Sequence, residues 1–289
     1  MSLRSKAAAG AGAALAGVLA LALTVAAPAV SRADNIPGGA ADETPSHPHI
    51  ERQKWSFRGP FGRFDRAQLQ RGYQVYKEVC STCHSMRFVA FRDLASSHGP
   101  GFSEAEVKAL AATVQIKDGP NDAGEMFERP GRASDYFPSP FANPQAARAA
   151  LGAIPPDLSV MAKARDVHSG FPGFIIDAFT QYQEGGPDYI HALLLGYTKE
   201  DDPNYNAVFP GHRIAMPPPL ADGVVTYSDG SPQTKEQYAT DVAAFLMWTA
   251  EPKLEPRKAM GFAVIIYLIV FASLLYAIKK RLWARVGPH

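Results

Sequence analysis

The most constraining feature of this sequence is the segment 80–84, which reads CSTCH. Cys-x-x-Cys-His is the attachment signal of c-type haem. Two thiols at this spacing add to the two vinyl groups on one edge of a haem, and the imidazole that follows reaches the iron from one face. The sequence contains 2 cysteines, Cys80 and Cys83, so none is left for a structural disulfide or a second haem. The motif predicts one covalently bound haem c, with His84 as an iron ligand.

Other interpretations of the motif explain fewer of its residues. A thioredoxin-like redox pair does not need His84, and a zinc site needs two more Cys or His residues at a similar spacing, which the sequence lacks. The formal net charge of +1 gives no general case for nucleic-acid binding, so we expect no nucleic-acid partner.

The N-terminus is similar to a secretory signal peptide. Arg4 and Lys6 form a basic start, residues 7–30 carry no charge, and residues 31–33 place small side chains at the two positions that a signal peptidase reads. We expect cleavage after Ala33 and export of the rest of the chain. The alternative is an uncleaved N-terminal membrane anchor, which the weak hydrophobicity of an Ala- and Gly-rich run disfavours.

The C-terminus predicts one membrane-spanning helix. Residues 259–278 carry no charge, and 20 residues at about 1.5 Å each reach across about 30 Å, the thickness of one hydrocarbon core. A buried core helix is the alternative, but this run has no polar face. Because the body is exported, we expect residues 34–258 outside the cytoplasm and a short tail, residues 279–289, inside it.

The net charge of the exported body differs from that of the whole sequence. Removing residues 1–33 takes away three basic residues and removing 259–289 takes away four, so residues 34–258 carry 22 basic and 28 acidic residues, a net charge of −6. An acidic body favours cationic partners and speeds encounter with them at low salt.

Two amphipathic patterns, one near each end of the body, predict helices. Asp65 and Gln68 resemble a capping box, and Thr234 and Gln237 are similarly spaced. The apolar stripe after the first cap consists of Leu69, Gly72, Tyr73, Tyr76 and Val79, and that after the second of Tyr238, Val242, Phe245, Leu246 and Trp248. A glycine inside a helix costs up to about 1 kcal/mol relative to alanine, so we interpret Gly72 as a point of close helix crossing.

The order of these helices predicts the fold class. A helix that ends in CxxCH and a later aromatic-rich helix packed across it describe a cytochrome c-like domain, which is mainly α. Gly 24 and Pro 24 exceed ordinary use, which favours long loops between the helices.

A second axial ligand would decide between electron transfer and an open haem site that binds gases or peroxide. Met86 is too close to His84 in sequence to reach the opposite face, and Met247 lies in a predicted helix stripe. Met216 precedes three prolines, which cannot join a helix and hold an extended segment, so it is the favoured candidate. The other candidates are Met126, Met161, His168, His191 and His212.

Seven short motifs follow one another along the body. They are RGYQVYK (71–77), PPDLS (155–159), GGPDY (185–189), FPG (209–211), AMPP (215–218), DVAAFL (241–246) and AEP (250–252). With CSTCH and the terminal anchor, they make the chain resemble the cytochrome c1 family, the haem subunits of the bacterial cytochrome bc1 complex. The resemblance extends from about residue 55 to the C-terminus. It implies a cytochrome c-like haem domain with long loop insertions and one C-terminal transmembrane helix.

The resemblance also implies roles for individual residues. Cys80 and Cys83 would carry the haem thioethers, His84 would be the proximal ligand and Met216 the distal one. Arg165 matches an arginine that meets a haem propionate, with a surface salt bridge as the alternative, and Tyr189 and Pro156 match positions of the haem pocket. The sequence departs from the family at residues 149–153, AALGA, where an asparagine of the haem crevice is absent. It also lacks the extra cysteine pair that some bacterial members carry in the loop before the distal methionine.

The function implied by the resemblance is electron transfer, without catalysis by this chain alone. The haem would receive an electron from the Rieske iron–sulfur protein and pass it to a soluble periplasmic cytochrome c. The other implied partners are cytochrome b, membrane lipid and a second copy of the complex in a dimer. The chain would be a single-pass protein of the bacterial inner membrane with its haem domain in the periplasm. The alternative is a membrane-anchored monohaem shuttle or oxidase subunit outside such a complex.

Overall fold

The computed structural model describes residues 50–165, 171–180 and 182–285. The predicted signal peptide, residues 1–33, and the ligand candidate His168 lie outside the described residues. The helices of the described part are α1 (Arg66–Glu78), α2 (Glu104–Ala112), α3 (Pro144–Leu151), α4 (Met161–Ala164), α5 (Gly173–Thr180), α6 (Gly185–Leu195), α7 (Lys235–Ala250) and α8 (Leu254–Trp283). Strands β1 (Gln115–Asp118) and β2 (Phe127–Pro130) pair antiparallel, with Gln115 opposite Pro130. The prediction of a mainly α fold with long loops is confirmed.

Helix α1 begins where the cap was predicted. The Asp65 carboxylate accepts hydrogen bonds from the backbone N–H groups of Ala67 and Gln68, at 2.9 and 3.3 Å. These bonds satisfy donors that have no partner inside the helix. The predicted stripe is buried from Leu69 to Tyr76, while Val79 is half-buried and ends the helix as its C-cap.

Helices α1 and α7 cross at Gly72, as predicted. A Cβ atom placed on Gly72 would lie 2.1 Å from the Asp241 carbonyl oxygen and 2.6 Å from the Phe245 Cβ. Only a residue without a side chain allows the two backbones to approach this closely. The rings of Tyr73 and Tyr76 then pack on Phe245, with centroids 5.8 and 6.0 Å apart. This crossing forms the centre of the hydrophobic core.

Helix α8 contains the predicted apolar run and extends beyond both of its ends, because the flanking residues continue the backbone hydrogen bonding. It is 30 residues long, and Leu254 is its one buried residue. Its length and composition are sufficient to cross a membrane. The prediction of a long apolar C-terminal helix is confirmed.

Candidate haem site

The two cysteines follow directly on the end of α1. Residues Cys80–Thr82 form one 3-10 turn, and the backbone N–H groups of Cys83 and His84 both donate to the Cys80 carbonyl oxygen, at 3.2 and 2.9 Å. Both cysteines are half-buried free thiols. Cys80 packs against the hydrophobic core, and burial raises the pKa of its thiol to about 12, with a smaller contribution from Cys83. The turn therefore holds a neutral thiol and a second thiol three residues on, next to a histidine.

The His84 ring is oriented by a residue far away in the sequence. Its Nδ1 lies 2.9 Å from the Pro156 carbonyl oxygen. Because a carbonyl can only accept a hydrogen bond, Nδ1 carries the proton and Nε2 carries the lone pair. Burial lowers the pKa of His84, against opposing contributions from Pro156 and Asp157, and thereby favours the neutral ring. A neutral imidazole with Nδ1 bound to a carbonyl is the form that binds a metal through Nε2, so these residues fit a haem iron.

The segment that carries Pro156 is fastened to the residues after His84. The Leu158 N–H donates to the Ser85 carbonyl oxygen at 2.8 Å. The Asp157 carboxylate accepts hydrogen bonds from the Ser85 hydroxyl at 2.7 Å and from the Arg87 N–H at 3.0 Å. Burial alone would raise the pKa of Asp157, but hydrogen bonds from Ser159, Arg87 and Ser85 lower it to about 2. Asp157 thus positions His84 indirectly. The sequence interpretation gave Asp157 no role, although the PPDLS motif contains it.

Helices α4 and α6, which pack on each other, carry Arg165 and Tyr189. A Cβ atom on Gly186 would lie 1.6 Å from the Ala162 carbonyl oxygen, so α6 packs directly on α4 at this glycine. Arg165 is the C-cap of α4 and is exposed, while Tyr189 is half-buried in α6. Burial raises the pKa of the Tyr189 hydroxyl, and the nearby charge of Arg165 opposes that rise. An exposed guanidinium whose charge acts on a half-buried hydroxyl is chemically suited to a carboxylate such as a haem propionate.

The backbone of Met216 is fastened to the end of α6. The Tyr197 hydroxyl, just beyond α6, donates to the Met216 carbonyl oxygen at 2.9 Å. Fully buried Asn206 donates to the Leu193 carbonyl oxygen at 2.8 Å and ties the loop ahead of Met216 to the same helix. Met216 itself is half-buried. Sequence reasoning missed Tyr197 and Asn206, because neither lies in a recognisable motif.

The other described ligand candidates lie in different surroundings. Met86 and Met247 are fully buried in the hydrophobic core, and Met126 is 63% exposed near the β hairpin. The His191 ring meets the Trp55 ring edge-on at 6.4 Å, and the His212 ring stacks on Tyr205 at 5.7 Å. Met161 begins α4 and packs on the core.

The predicted site residues therefore form one connected path. His84 contacts Pro156, whose segment leads into α4; α4 ends at Arg165, which lies near Tyr189 in α6. Helix α6 is in turn connected to Met216 through Tyr197. The pair α4 and α6 positions both the histidine and the methionine segments.

Comparison with known proteins identifies close relatives. The model of the cytochrome C1 family matches residues 55–286. A protein from Bradyrhizobium diazoefficiens named cytochrome b/c1 is 60% identical over 240 residues, which are 80% of this chain and 35% of that protein. The chain thus spans about a third of that relative. Cytochrome c1 of Blastochloris viridis is 51% identical over 251 residues, 83% of this chain and 87% of that one. Cytochrome c1 of Rhodospirillum rubrum is 44% identical over 274 residues, 86% and 93% respectively.

Proposed function

This chain belongs to the cytochrome c1 family, and from that premise we propose that it binds one haem c covalently and transfers electrons through it in a cytochrome bc1 complex. The family implies a haem-bearing electron-transfer subunit. The finer proposal is that the chain takes one electron from the Rieske iron–sulfur protein and delivers it to a soluble cytochrome c. The chain is a carrier and catalyses no reaction by itself, while quinol oxidation belongs to the complex.

The proximal residues have distinct roles in this proposal. A bound haem supplies one-electron chemistry at its iron. Cys80 and Cys83 would form the two thioether bonds, and His84 would bind the iron through Nε2. The Pro156 carbonyl keeps the proton on Nδ1 at a distance of 2.9 Å. This hydrogen bond, made by the histidine that follows two cysteines at haem c spacing, is the observation that carries the proposal, because neither a redox dithiol nor a core histidine requires it.

The distal residues complete the proposed site. Met216 would be the second protein ligand of the haem iron, and Tyr197 and Asn206 would hold its segment against α6. Ligation by methionine and histidine raises the reduction potential of a haem, which suits an acceptor of electrons from a high-potential Rieske centre. Arg165 would pair with a haem propionate, and Tyr189 and Pro156 would line the pocket.

The membrane topology and the partners belong to the same proposal. Helix α8 would cross the bacterial inner membrane once, with the haem domain, residues 34–258, in the periplasm and residues 279–289 in the cytoplasm. Residues 1–33 would be removed as a signal peptide. The name of the Bradyrhizobium relative joins b and c1 in one protein, which supports cytochrome b as a partner. The complex would be dimeric.

Purification of the native protein in mild detergent tests the function. We expect reduced-minus-oxidised spectra to contain a low-spin c-type band together with b haems, and an iron–sulfur EPR signal in the same fraction. Haem should stay on the chain in a denaturing gel, and Cys80→Ala with Cys83→Ala should abolish that stain. A c-type band without b haems or an iron–sulfur signal would identify a separate shuttle instead.

Substitution of the distal ligand tests the ligation. We expect Met216→Leu to lower the reduction potential strongly and to let carbon monoxide bind the reduced protein. Met126→Leu and Met161→Leu are matched controls, since they make the same change at other candidate positions and should leave both properties unaltered. Carbon monoxide binding by the unsubstituted protein would contradict the ligation and indicate an open distal site.

A further inference from the structure

Helix α5 leaves an unusually apolar surface uncovered. The α5 apolar surface consists of Phe171, Phe174, Ile175, Ile176 and Phe179, which are 82%, 55%, 40%, 56% and 86% exposed. Single exposed apolar side chains are ordinary, but five large ones exposed within nine consecutive residues indicate a binding surface. Neither electron transfer nor haem binding explains it.

Helix α5 turns its apolar side chains outward and its charged side chain toward the protein, which is the opposite of a surface helix that faces water. Its one charged residue, Asp177, is half-buried and pairs with Arg52 at 2.8 Å. The Asp177 carbonyl oxygen also accepts a hydrogen bond from the Tyr182 N–H at 2.9 Å. The charged side chain therefore fastens the helix to the protein, while the phenylalanine and isoleucine side chains remain outside.

The segment that follows α5 lies close to the start of the membrane-spanning run. The Arg257 guanidinium donates to the Gln183 side-chain oxygen at 3.2 Å, and Arg257 is two residues ahead of the uncharged run 259–278. Gln183 is in turn only three residues beyond the end of α5 at Thr180. Three residues extend no more than about 11 Å, so the end of α5 lies near the level at which α8 enters the membrane.

A second loop, residues 57–61, also contacts α8 near the start of its uncharged run. Lys258 donates through Nζ to the Phe57 carbonyl oxygen at 2.6 Å. Four residues later in the same loop, the Phe61 ring packs edge-on against the Phe262 ring, with centroids 5.5 Å apart. Phe262 is inside the uncharged run, about 6 Å along the helix from Lys258. Residues of the haem domain thus reach the apolar part of α8.

We propose that the α5 apolar surface lies in the interfacial layer of the membrane that α8 crosses, and that its occupant is lipid. Aromatic and isoleucine side chains at this level enter the boundary between headgroups and acyl chains. Exposed Arg58 lies over the Tyr182 ring, at 5.3 Å from its centroid, and supplies a cation for lipid phosphates. The proposal depends on α8 crossing the membrane and adds a second point of attachment, which fixes the tilt of the haem domain.

Site-directed spin labelling tests the occupant. Phe179→Cys and Ile176→Cys each place a label on the α5 apolar surface, and the second keeps the test valid if the first variant is poorly expressed. The control is Val224→Cys. The wild-type Val224 side chain is 46% exposed, and the carbonyl oxygen of the next residue, Val225, accepts a hydrogen bond from the Tyr238 hydroxyl near the start of α7. Tyr238 lies 13 residues before Glu251, which corresponds to about 20 Å along α7.

The labelled complex is reconstituted in nanodiscs of phosphatidylcholine and phosphatidylglycerol, and relaxation by oxygen is compared with relaxation by a water-soluble nickel chelate. We expect the oxygen-to-nickel ratio at positions 176 and 179 to exceed that at 224 several-fold. A ratio equal to that at 224 would mean that α5 faces water, and low access to both reagents would mean that a protein subunit covers it; either result overturns the proposal. The unsubstituted chain is labelled in parallel, because uptake there would refute the thioether bonds at Cys80 and Cys83 and leave the α5 result unaffected.

Discussion

Helices α7 and α8 are separated by three residues, yet their apolar side chains face different surroundings. α7 buries 11 of its 16 residues and packs on α1, α4 and α6, whereas α8 buries one of its 30. The apolar side chains of α7 are covered by protein, and those of α8 are left for lipid. Apolar content alone therefore does not distinguish a core helix from a membrane helix.

The two helices differ in whether their apolar part contains a buried charged residue. Asp241, in the middle of α7, is completely buried and accepts hydrogen bonds from Arg71 at 2.9 Å, Tyr227 at 2.9 Å and Gln237 at 3.0 Å. The uncharged run of α8 has no equivalent, because lipid offers no partner for a charge. A buried charge inside an apolar helix therefore indicates that protein surrounds it.

The largest expected effect comes from closing the gap at Gly72. Gly72→Leu would place a side chain into the backbone of α7, where even a Cβ atom lies 2.1 Å from the Asp241 carbonyl oxygen. We expect the crossing to fail and no haem-stained, folded protein to accumulate in membranes. Gly261→Leu is the matched control in α8, since nothing lies within 4 Å of its Cβ position. Normal accumulation of the Gly72 variant would show that the two helices do not depend on close contact.

The second effect comes from removing the buried charge of α7. Asp241→Ala leaves Arg71 without its buried partner, and breaking such a pair typically costs about 4 kcal/mol. Asp229→Ala removes the other carboxylate that binds Arg71, at 2.9 Å, but its side chain is 41% exposed. We expect that control to cost less than about 1 kcal/mol. Guanidinium unfolding in detergent, followed by Soret absorbance, measures both, and equal losses would contradict the special position of Asp241.

The third effect compares truncation of an apolar side chain in each helix. Met247→Ala in α7 opens a cavity at a fully buried position, and we expect a loss of about 2 kcal/mol. Ile269→Ala in α8 affects a side chain that is 61% exposed and adjoins no protein core. We expect no measurable change in the unfolding midpoint of the haem domain. A comparable loss at Ile269 would mean that α8 contributes to the core of that domain.

The elements that sequence could predict are those encoded locally. The caps at Asp65 and Thr234, the crossing at Gly72 and the core position of Met247 all follow from residue type and helical spacing, and the structure confirms each of them. The apolar run of α8 was equally predictable, because a run of 20 uncharged residues has few structural interpretations other than a membrane-spanning helix.

The elements that sequence could not predict depend on contacts between distant segments. The Pro156 carbonyl meets His84 across 72 residues, and Asp241 meets Arg71 across 170. Each of these residues was visible in a motif, but spacing along the chain contains no information about which motifs meet in space. No local sequence pattern indicates that Asn206 fastens the Met216 segment to α6. The same is true of the outward orientation of the apolar side chains of α5.

The smallest expected effect concerns how the two helices begin. Helix α7 begins at a cap in which the Thr234 hydroxyl oxygen accepts a hydrogen bond from the Gln237 N–H at 3.3 Å, whereas the N-cap of α8, Lys253, makes no side-chain cap bond. Thr234→Ala should therefore lower the free energy of unfolding by about 1 kcal/mol, since it removes an acceptor for an otherwise unpaired helix donor. Lys253→Ala should have no effect in the same guanidinium titration, because no cap bond is lost. An equal loss in both variants would show that the start of α8 depends on its first residue as much as that of α7, which would remove this difference between the two helices.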